Sequence, residues 1–166
     1  MTILLDTRTV TPSGRPDYWS AGIAEHFFPM HLEPPDDHPF AARLSGGDVG
    51  PIAVRSIRGV PHRVTRSSRM IAATDPAFLL LYLIRQGTCL IEQDDRACVL
   101  RPGDIAFQDT WRPSAFEARD GLDVAVFAVP RWFLGPGADG FVRMTAAAMS
   151  QRRTPVLRTA VPFLAG

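Results

Sequence analysis

The four histidines are the residues with the most recognisable chemistry, because imidazoles and carboxylates on neighbouring strands bind the metal of many barrel enzymes. Such a site commonly has two His separated by one residue, a Glu soon after them, and a third His on a later strand. The histidines here are His26, His31, His38 and His62, all upstream of the hairpin predicted at residues 87–104. Glu92 and Gln93 stand in place of the first His pair, and Gln108 and Asp109 in place of the later His. We therefore predict no bound metal and no cofactor.

The chain also lacks the signatures of covalent and phosphate chemistry. It has no Gly-x-Ser-x-Gly elbow and no cysteine at the start of a helix, the settings that activate a serine or a thiol. The glycine-rich stretch SGGDVGP, residues 45–51, lacks the lysine and the following helix that a phosphate-binding loop requires. We predict that the protein is not an enzyme. One alternative stays open, a metalloenzyme with unusual carboxylate and glutamine ligands.

One short stretch, WRP at residues 111–113, has residue types that suit a binding site. It follows the strand IAFQD, which the turn RPGD at residues 101–104 directs back across the barrel. Trp111 offers a flat apolar wall, and the guanidinium of Arg112 is a forked donor that suits carboxylates. Two interpretations remain open: Trp111 caps the barrel by packing alone, or both residues line a small-molecule site.

The charges give no support for nucleic-acid binding by this chain alone. All 18 basic residues are arginine, and the formal net charge is +1, whereas nucleic-acid-binding domains carry basic patches. The strongest local bias lies at residues 55–69, which have five arginines and no acidic residue: Arg55, Arg58, Arg63, Arg66 and Arg69. A solvated face is the favoured interpretation, and an anion-binding or partner-docking role is the alternative.

The central hairpin positions both cysteines. Cys89 and Cys98 lie on its opposite arms, and if Asp94 and Asp95 form the turn, the two thiols are diagonal neighbours about 7–8 Å apart. This separation is too long for a disulfide, so we expect reduced, packed thiols.

The chain length and composition suit one compact domain, since 166 residues with 46% apolar content form a single core. No apolar run approaches the roughly 20 residues needed to cross a bilayer. The N-terminal sequence MTILLDTRTV has no basic start, long apolar stretch and cleavage site. We predict a soluble, cytoplasmic protein that does not interact with membranes.

The elements that carry these residues can be predicted from spacing. Residues 16–28 have the pattern of an amphipathic helix, with Trp19, Ile23 and Phe27 at four-residue intervals and Asp17 as a cap. Residues 31–40 are rich in proline and acids and favour a surface loop. Residues 40–130 are short extended segments broken by turn residues every 8–12 positions or so, as in a sandwich or barrel. The predicted strands are 41–46, 51–58, 62–72, 78–85, 88–93, 96–100, 105–109, 113–118 and 123–129.

The pattern after Pro130 is helical again. PRWFL predicts a single turn, and Thr154 followed by Pro155 predicts the start of a further helix. Its apolar positions are Val156, Leu157, Val161, Phe163 and Leu164. Because this apolar helix contains Pro162 and reaches the last residue eleven positions after it begins, we expect either a truncated chain or a surface that binds a partner.

The order of these segments resembles one family. A DYW helix is followed by PFAARL, then by GPIAVRSIRGVPHRVTRSSRMIA, FLLLYLIRQG, QDDRACVLRPGDIAFQDTWRP and a closing VFAVPRWFL. Over residues 16–166 this order resembles the N-terminal effector-binding, cupin-like domain of AraC/XylS-type transcription regulators. Two departures are Asp95, where the hairpin usually has glycine, and Ser114, where an aromatic residue commonly follows Arg-Pro. The second departure leaves a pocket contact at that position in question.

The resemblance implies a mainly β fold, a cupin-like antiparallel jelly-roll barrel with flanking N-terminal and C-terminal helices. It divides the chain into an N-terminal arm (residues 1–15), a sensor barrel with its helix (residues 16–135) and a C-terminal helical or linker segment (residues 136–166). It implies a homodimer and a small-molecule effector of unknown identity. Relatives bind DNA through a C-terminal helix-turn-helix domain, which we expect to be absent here. A stand-alone dimerisation module remains an alternative.

The resemblance also suggests a mechanism and a site. We predict that an effector enters the mouth of the barrel and shifts dimer geometry or domain contacts. The predicted apolar walls are Tyr82, Phe107 and Trp111, and the predicted polar groups are Arg69, Gln93 and Arg112.

Overall fold

The computed structural model describes residues 1–74, 76–150, 154–155, 157–158 and 162. The strands in these ranges are β1 (Thr2–Asp6), β2 (His31–Glu33), β3 (Ala42–Val49), β4 (Ile52–Gly59), β5 (His62–Arg66), β6 (Phe78–Gln86), β7 (Cys89–Gln93), β8 (Arg96–Leu100), β9 (Ile105–Asp109), β10 (Ser114–Ala118) and β11 (Leu122–Pro130). The α-helices are α1 (Arg15–His26), α2 (Ser68–Ala73), α3 (Arg131–Leu134) and α4 (Ala138–Val142). None of the helices in these ranges has the length and apolar character needed to span a bilayer.

The strands form two antiparallel sheets that pack face to face. The six-stranded sheet has the order β1-β3-β4-β11-β6-β9, and the five-stranded sheet has the order β2-β5-β10-β7-β8. Apolar side chains from both inner faces form the main core, where Ile84 of one sheet and Ile91 of the other are fully buried. This confirms the predicted cupin-like antiparallel class with flanking helices. The two sheets share no strand among the described residues, so hydrogen bonds do not close the barrel.

Most of the predicted strands agree with the structure to within a few residues, and two predictions are wrong. The strand predicted over residues 62–72 ends at Arg66, because Ser67 caps α2 and its hydroxyl accepts a hydrogen bond from the backbone N–H of Met70 at 3.4 Å. The loop predicted at residues 31–40 begins with β2, which pairs with β5. In addition, β1 pairs with β3, so part of the predicted N-terminal arm belongs to the six-stranded sheet.

The central hairpin has the predicted two-residue turn. Asp94 and Asp95 have φ values of 52° and 56°, the left-handed values that a type I′ turn requires at both central positions. Glycine usually occupies such positions, and here the carboxylate of Asp94 forms ion pairs with Arg96 and Arg112 that hold the turn. The strand register is the predicted one, and both cysteines are free thiols.

α1 packs on β1 and β3 through Trp19 and Ile23, the four-residue spacing that predicts the helix. A Cβ at Gly22 would lie 2.4 Å from side-chain atoms of Leu5, so a larger residue at this position would require the Leu5 side chain to move. The predicted cap is wrong, because Asp17 lies in the first turn and makes no capping hydrogen bond. Its charge still favours the positive end of the helix dipole.

The segment after β11 covers the part of the outer face of the six-stranded sheet that β6, β9 and β11 form. α3 is the single turn predicted from PRWFL, and further along the chain Thr145 and Met149 form isolated bridges with Phe107 and Ile105 of β9. The predicted helix start is observed, since residues 155, 157 and 158 are helical, and Leu157 packs on the outer face. The other predicted apolar positions lie outside the described residues: Val156, Val161, Phe163 and Leu164.

Candidate ligand-binding cavity

An apolar cavity lies between the two sheets, with α1 and the turn after it as one wall. Its volume is about 50 Å³. The other walls come from β4, β6 and β11 of one sheet and from β2, β5 and β10 of the other. Because side chains alternate along a strand, Leu80 and Tyr82 of β6 and Val124 and Val126 of β11 all face this space. The arrangement provides a mainly apolar space between the sheets and α1.

Of the six predicted site residues, all of which the structure describes, Tyr82 alone lines the cavity. Its ring stacks on that of Phe116, with 5.2 Å between centroids and 21° between the ring planes. The hydroxyl donates a hydrogen bond to Oε1 of Gln108 at 2.8 Å. Burial raises the pKa of Tyr82 well above its ordinary value, so the hydroxyl keeps its proton.

His62 is a second polar residue of the cavity lining, and it is absent from the residues predicted to bind a ligand. Its Nδ1 lies 2.7 Å from the carbonyl oxygen of Val60. Because a carbonyl oxygen only accepts, Nδ1 carries the hydrogen and Nε2 of the neutral ring is an acceptor. Burial lowers the pKa of His62, which keeps the ring neutral at pH 7.

The sequence contains a signal that could have identified His62. It occupies the first position of β5, and strand alternation places it on the same inner face as Val64, which also lines the cavity. Within the ranges that the structure describes, no group of three or more His, Cys, Asp and Glu side chains converges. His62 is therefore not part of a candidate metal site in these ranges.

Arg66 lines a smaller space of about 10 Å³ that shares walls with the cavity. Its guanidinium carbon lies 4.8 Å from the centroid of the Phe28 ring. Its nitrogens donate to the backbone carbonyls of Thr110 at 2.7 Å, Pro29 at 2.9 Å, and Thr74. The charge of Arg66 is therefore used to hold three loops around the end of the cavity.

Gln93 joins the two sheets outside the cavity. Its Nε2 donates to the carbonyl oxygen of Asp109 at 2.8 Å, and its Oε1 accepts from the N–H of Asp109 at 2.9 Å. The side chain thus acts as a substitute strand partner for β9, the edge of the six-stranded sheet. This geometry indicates a structural role for a residue that is 3% exposed.

Phe107 faces away from the cavity. It lies between Ala106 and Gln108, which point inward on β9, and its ring contacts the edge of Phe141 in α4 with 5.2 Å between centroids. Phe107 therefore packs the C-terminal segment against the outer face of the sheet.

The remaining predicted site residues also lie outside the cavity lining. The guanidinium carbon of Arg131 lies 4.0 Å from the centroid of the Trp111 ring, in a cation–π contact. Arg69 is exposed on α2. Arg112 forms ion pairs with Asp94 and Asp109 and donates to the carbonyl oxygen of Val142 at 3.3 Å. These contacts connect the hairpin turn and β9 to the C-terminal segment.

The arginine-rich stretch does not form one charged surface. Its members lie on different elements: Arg55 of β4 and Arg66 of β5 are buried, and Arg69 is exposed on α2. Three members have acidic partners from elsewhere in the chain: Arg55 with Asp48, Arg58 with Asp123, and Arg63 with Glu92 and Glu117. These ion pairs favour a structural role for the stretch over an anion-binding one.

The sequence and the fold can now be compared with known proteins. Residues 19–165 match the family described as the AraC-binding-like domain. The "Uncharacterized protein in nit 5'region" of Bacillus sp. (strain OxB-1) is 29% identical over 134 residues, which are 81% of this chain and 52% of that protein. The "Transcriptional activator NphR" of Rhodococcus sp is 32% identical over 92 residues, which are 55% of this chain and 28% of NphR.

The fold is similar to that of the AraC-like transcriptional activator CuxR. The crystal structure of CuxR aligns with a TM-score of 0.84 and 19% sequence identity, and the match covers 98% of this chain and 58% of CuxR. The chain thus matches about half of the Bacillus protein and a smaller part of NphR.

Proposed function

The chain belongs to the AraC-binding-like domain family, and we propose that it is the ligand-sensing domain of an AraC-type transcription regulator. The observation that carries this proposal is the apolar cavity with Tyr82 and His62 in its walls. Small-molecule sites are usually concave and apolar with a few placed polar groups. In this role the domain binds an effector and leaves it chemically unchanged.

The size of the cavity indicates that binding requires one wall to move. A volume of about 50 Å³ accommodates a few water molecules, whereas sites for metabolite-sized ligands have about 300–1,000 Å³. Most walls are strands joined by ladder hydrogen bonds. α1 is held by side-chain packing of Trp19 and Ile23, so outward displacement of α1 is the change that disrupts the fewest hydrogen bonds.

A polar network connects the cavity to the C-terminal segment. Tyr82 hydrogen-bonds Gln108 on β9, and the neighbouring Asp109 forms an ion pair with Arg112, which in turn donates to the carbonyl of Val142. We propose that an effector, by favouring one arrangement of α1 and β9, shifts the position of this segment.

The remainder of the regulator follows from the same proposal. We propose a cytoplasmic homodimer in which this domain reports effector binding, with DNA contacted through a helix-turn-helix domain of the full-length regulator. Two similar proteins, NphR and CuxR, are named as transcriptional activators, which supports a regulatory role for this domain.

A thermal-shift screen of small metabolites tests the proposal. The expected result is a set of compounds that raise the melting temperature, because ligands that bind the folded state stabilise it. A Val64→Phe substitution fills the cavity and should abolish the shift. The matched control is Thr65→Phe, since Thr65 is the next residue of β5 and points to the other face.

Two results would contradict the proposal. One is a screen without any stabilising compound. The other is a set of compounds whose shifts survive Val64→Phe, which would place their site outside the cavity.

A further inference from the structure

We infer that the effector is a small, uncharged, mainly apolar molecule whose hydroxyl group donates a hydrogen bond to Nε2 of His62, as a phenol would. The inference rests on the proposed function, because it specifies the ligand of the same cavity. Three features carry it: the absence of an available cation in the lining, the acceptor character of its two buried polar groups, and its aromatic walls.

The cavity offers no cation to an anionic ligand. The side chains that line it, all of them in described parts of the chain, include neither lysine nor arginine. The guanidinium of Arg66 in the adjoining space already donates to three backbone carbonyls. Arg55 lies near the cavity wall with its guanidinium carbon 5.8 Å from the Phe27 ring centroid, and it pairs with Asp48 at 2.9 Å. A carboxylate or phosphate would therefore lose its water without gaining a counter-ion.

His62 lines the cavity and has one ring nitrogen that is not committed to a hydrogen bond with the described residues. The residue is 7% exposed, and its Nδ1–H is committed to the Val60 carbonyl at 2.7 Å. Nε2 has no hydrogen-bond partner among the described residues, so its lone pair is available to a ligand. A buried acceptor of this kind selects a ligand that brings an O–H or N–H donor, because an unpaired polar group in an apolar site is unfavourable.

Tyr82 also has a side-chain atom that can only accept a hydrogen bond from a ligand, its hydroxyl oxygen. Nε2 of Gln108 donates to the carbonyl oxygen of Ala115 at 3.0 Å, and this fixes Oε1 toward Tyr82. Tyr82 must then donate its hydrogen to Gln108, so its oxygen offers only lone pairs to the cavity. The lining has one other hydroxyl, which belongs to the half-buried Ser20 of α1 and can donate or accept a hydrogen bond. A ligand with acceptors alone would leave Nε2 of His62 without a partner.

The aromatic side chains of the walls favour a planar ligand. Tyr82 of one sheet and Phe116 of the other stack on each other in the cavity lining, and Phe27 and Phe28 lie in the segment after α1 that also lines it. Flat apolar surfaces of this kind pack well against an aromatic ring. A phenol combines such a ring with one donor hydroxyl.

Three probes of similar size test which chemical group of the ligand the cavity recognises. 4-Methylphenol has the ring and a donor, 4-methylanisole has the ring with a methyl ether in place of the donor, and 4-methylbenzoate carries a negative charge. Isothermal titration calorimetry of the unaltered protein at pH 7 measures the three dissociation constants. We expect 4-methylphenol to bind, 4-methylanisole to bind about threefold to tenfold more weakly, and 4-methylbenzoate not to bind.

The substitution His62→Leu tests the assigned acceptor. It keeps the apolar volume and removes Nε2, so 4-methylphenol should lose its advantage over 4-methylanisole. The matched control is His31→Leu, because His31 is exposed on β2 and does not line the cavity, and it should preserve the ratio. If His62→Leu does not fold, as judged by circular dichroism, the ratios in the unaltered protein decide the question.

The outcomes separate this inference from the proposed function. Binding of 4-methylanisole as tight as that of 4-methylphenol, or tighter binding of 4-methylbenzoate, overturns the inference and leaves the proposed function standing. If none of the three binds, the hits of the thermal-shift screen decide. Hits that are charged or lack a donor overturn the inference, neutral hydroxyl compounds support it, and a screen without hits overturns the proposed function as well.

Discussion

Replacing Gln93 by leucine distinguishes a structural residue from a ligand-binding one. The Gln93 amide satisfies both the N–H and the carbonyl of Asp109, at 2.9 and 2.8 Å, and joins β7 to the edge strand β9. Leucine has a similar size and can satisfy neither group. We expect Gln93→Leu to destabilise the fold and to leave ligand affinity within about twofold of the unaltered protein.

The magnitude follows from the two groups left unpaired. Each buried polar group that loses its partner costs about 1–3 kcal/mol. The apolar surface of leucine offsets a part of this, so the free energy of unfolding should fall by about 2–4 kcal/mol. For a domain of this length the melting temperature should fall by about 5–15 °C.

Urea denaturation followed by circular dichroism measures the effect. The midpoint should fall while the m-value stays constant, since the surface exposed on unfolding is unchanged. The matched control is Glu92→Leu on the same strand, because Glu92 faces outward and pairs with Arg63 at 2.6 Å with both side chains about a third exposed. Exposed ion pairs contribute about 0–1 kcal/mol, so the control should stay within that range.

One result would refute the reasoning. If Gln93→Leu were as stable as Glu92→Leu and bound ligand much more weakly, Gln93 would be a ligand-binding residue, as the sequence predicts. The assigned hydrogen bonds to Asp109 would then be wrong.

Three further predictions concern other parts of the chain. First, stability should fall as the pH drops below about 6.5, by about 1.4 kcal/mol per pH unit. Burial lowers the pKa of His62 in the folded state, so the unfolded chain takes up the proton first. Urea titrations at successive pH values should show this dependence weakened in His62→Leu, and an unchanged dependence would contradict it. Second, Phe107→Ala should cost about 3–5 kcal/mol of stability with an unchanged dissociation constant for 4-methylphenol, because Phe107 packs on Phe141 outside the cavity. A large loss of affinity in calorimetry would place Phe107 at the site. Third, Arg112→Met should speed amide hydrogen exchange around Val142, whose carbonyl Arg112 holds at 3.3 Å, and equal exchange rates would exclude this link.

The architecture is predictable where only one sheet face is buried or where a turn has a clear signature. The hairpin of β7 and β8 is an example, because its arms alternate around the Asp94-Asp95 turn and the observed register is the predicted one. The end of β5 is not predictable in this way. In the sequence, Ser67 and the residues of α2 look like the continuation of β5, although the Ser67 side chain caps α2 in the structure.

The site is harder to predict because the six-stranded sheet is covered on both faces around β9. The C-terminal segment packs on the outer face of β9, so every residue of this strand is buried and the alternation that marks an inner face disappears. Phe107 and Tyr82 therefore look equivalent in sequence, although only Tyr82 faces the cavity. For His62 the usable signal is the alternation of β5, which places it on the inner face beside Val64.

Protein NMR with 4-methylphenol tests the central claim most directly, since it locates a bound molecule atom by atom. Intermolecular nuclear Overhauser effects should join the ring protons of the ligand to Phe116, Val124 and Ile23, which surround the space between the sheets. Contacts confined to Trp111 and Arg112 at the protein surface would show that the interior of the sandwich is packing and that the ligand binds elsewhere.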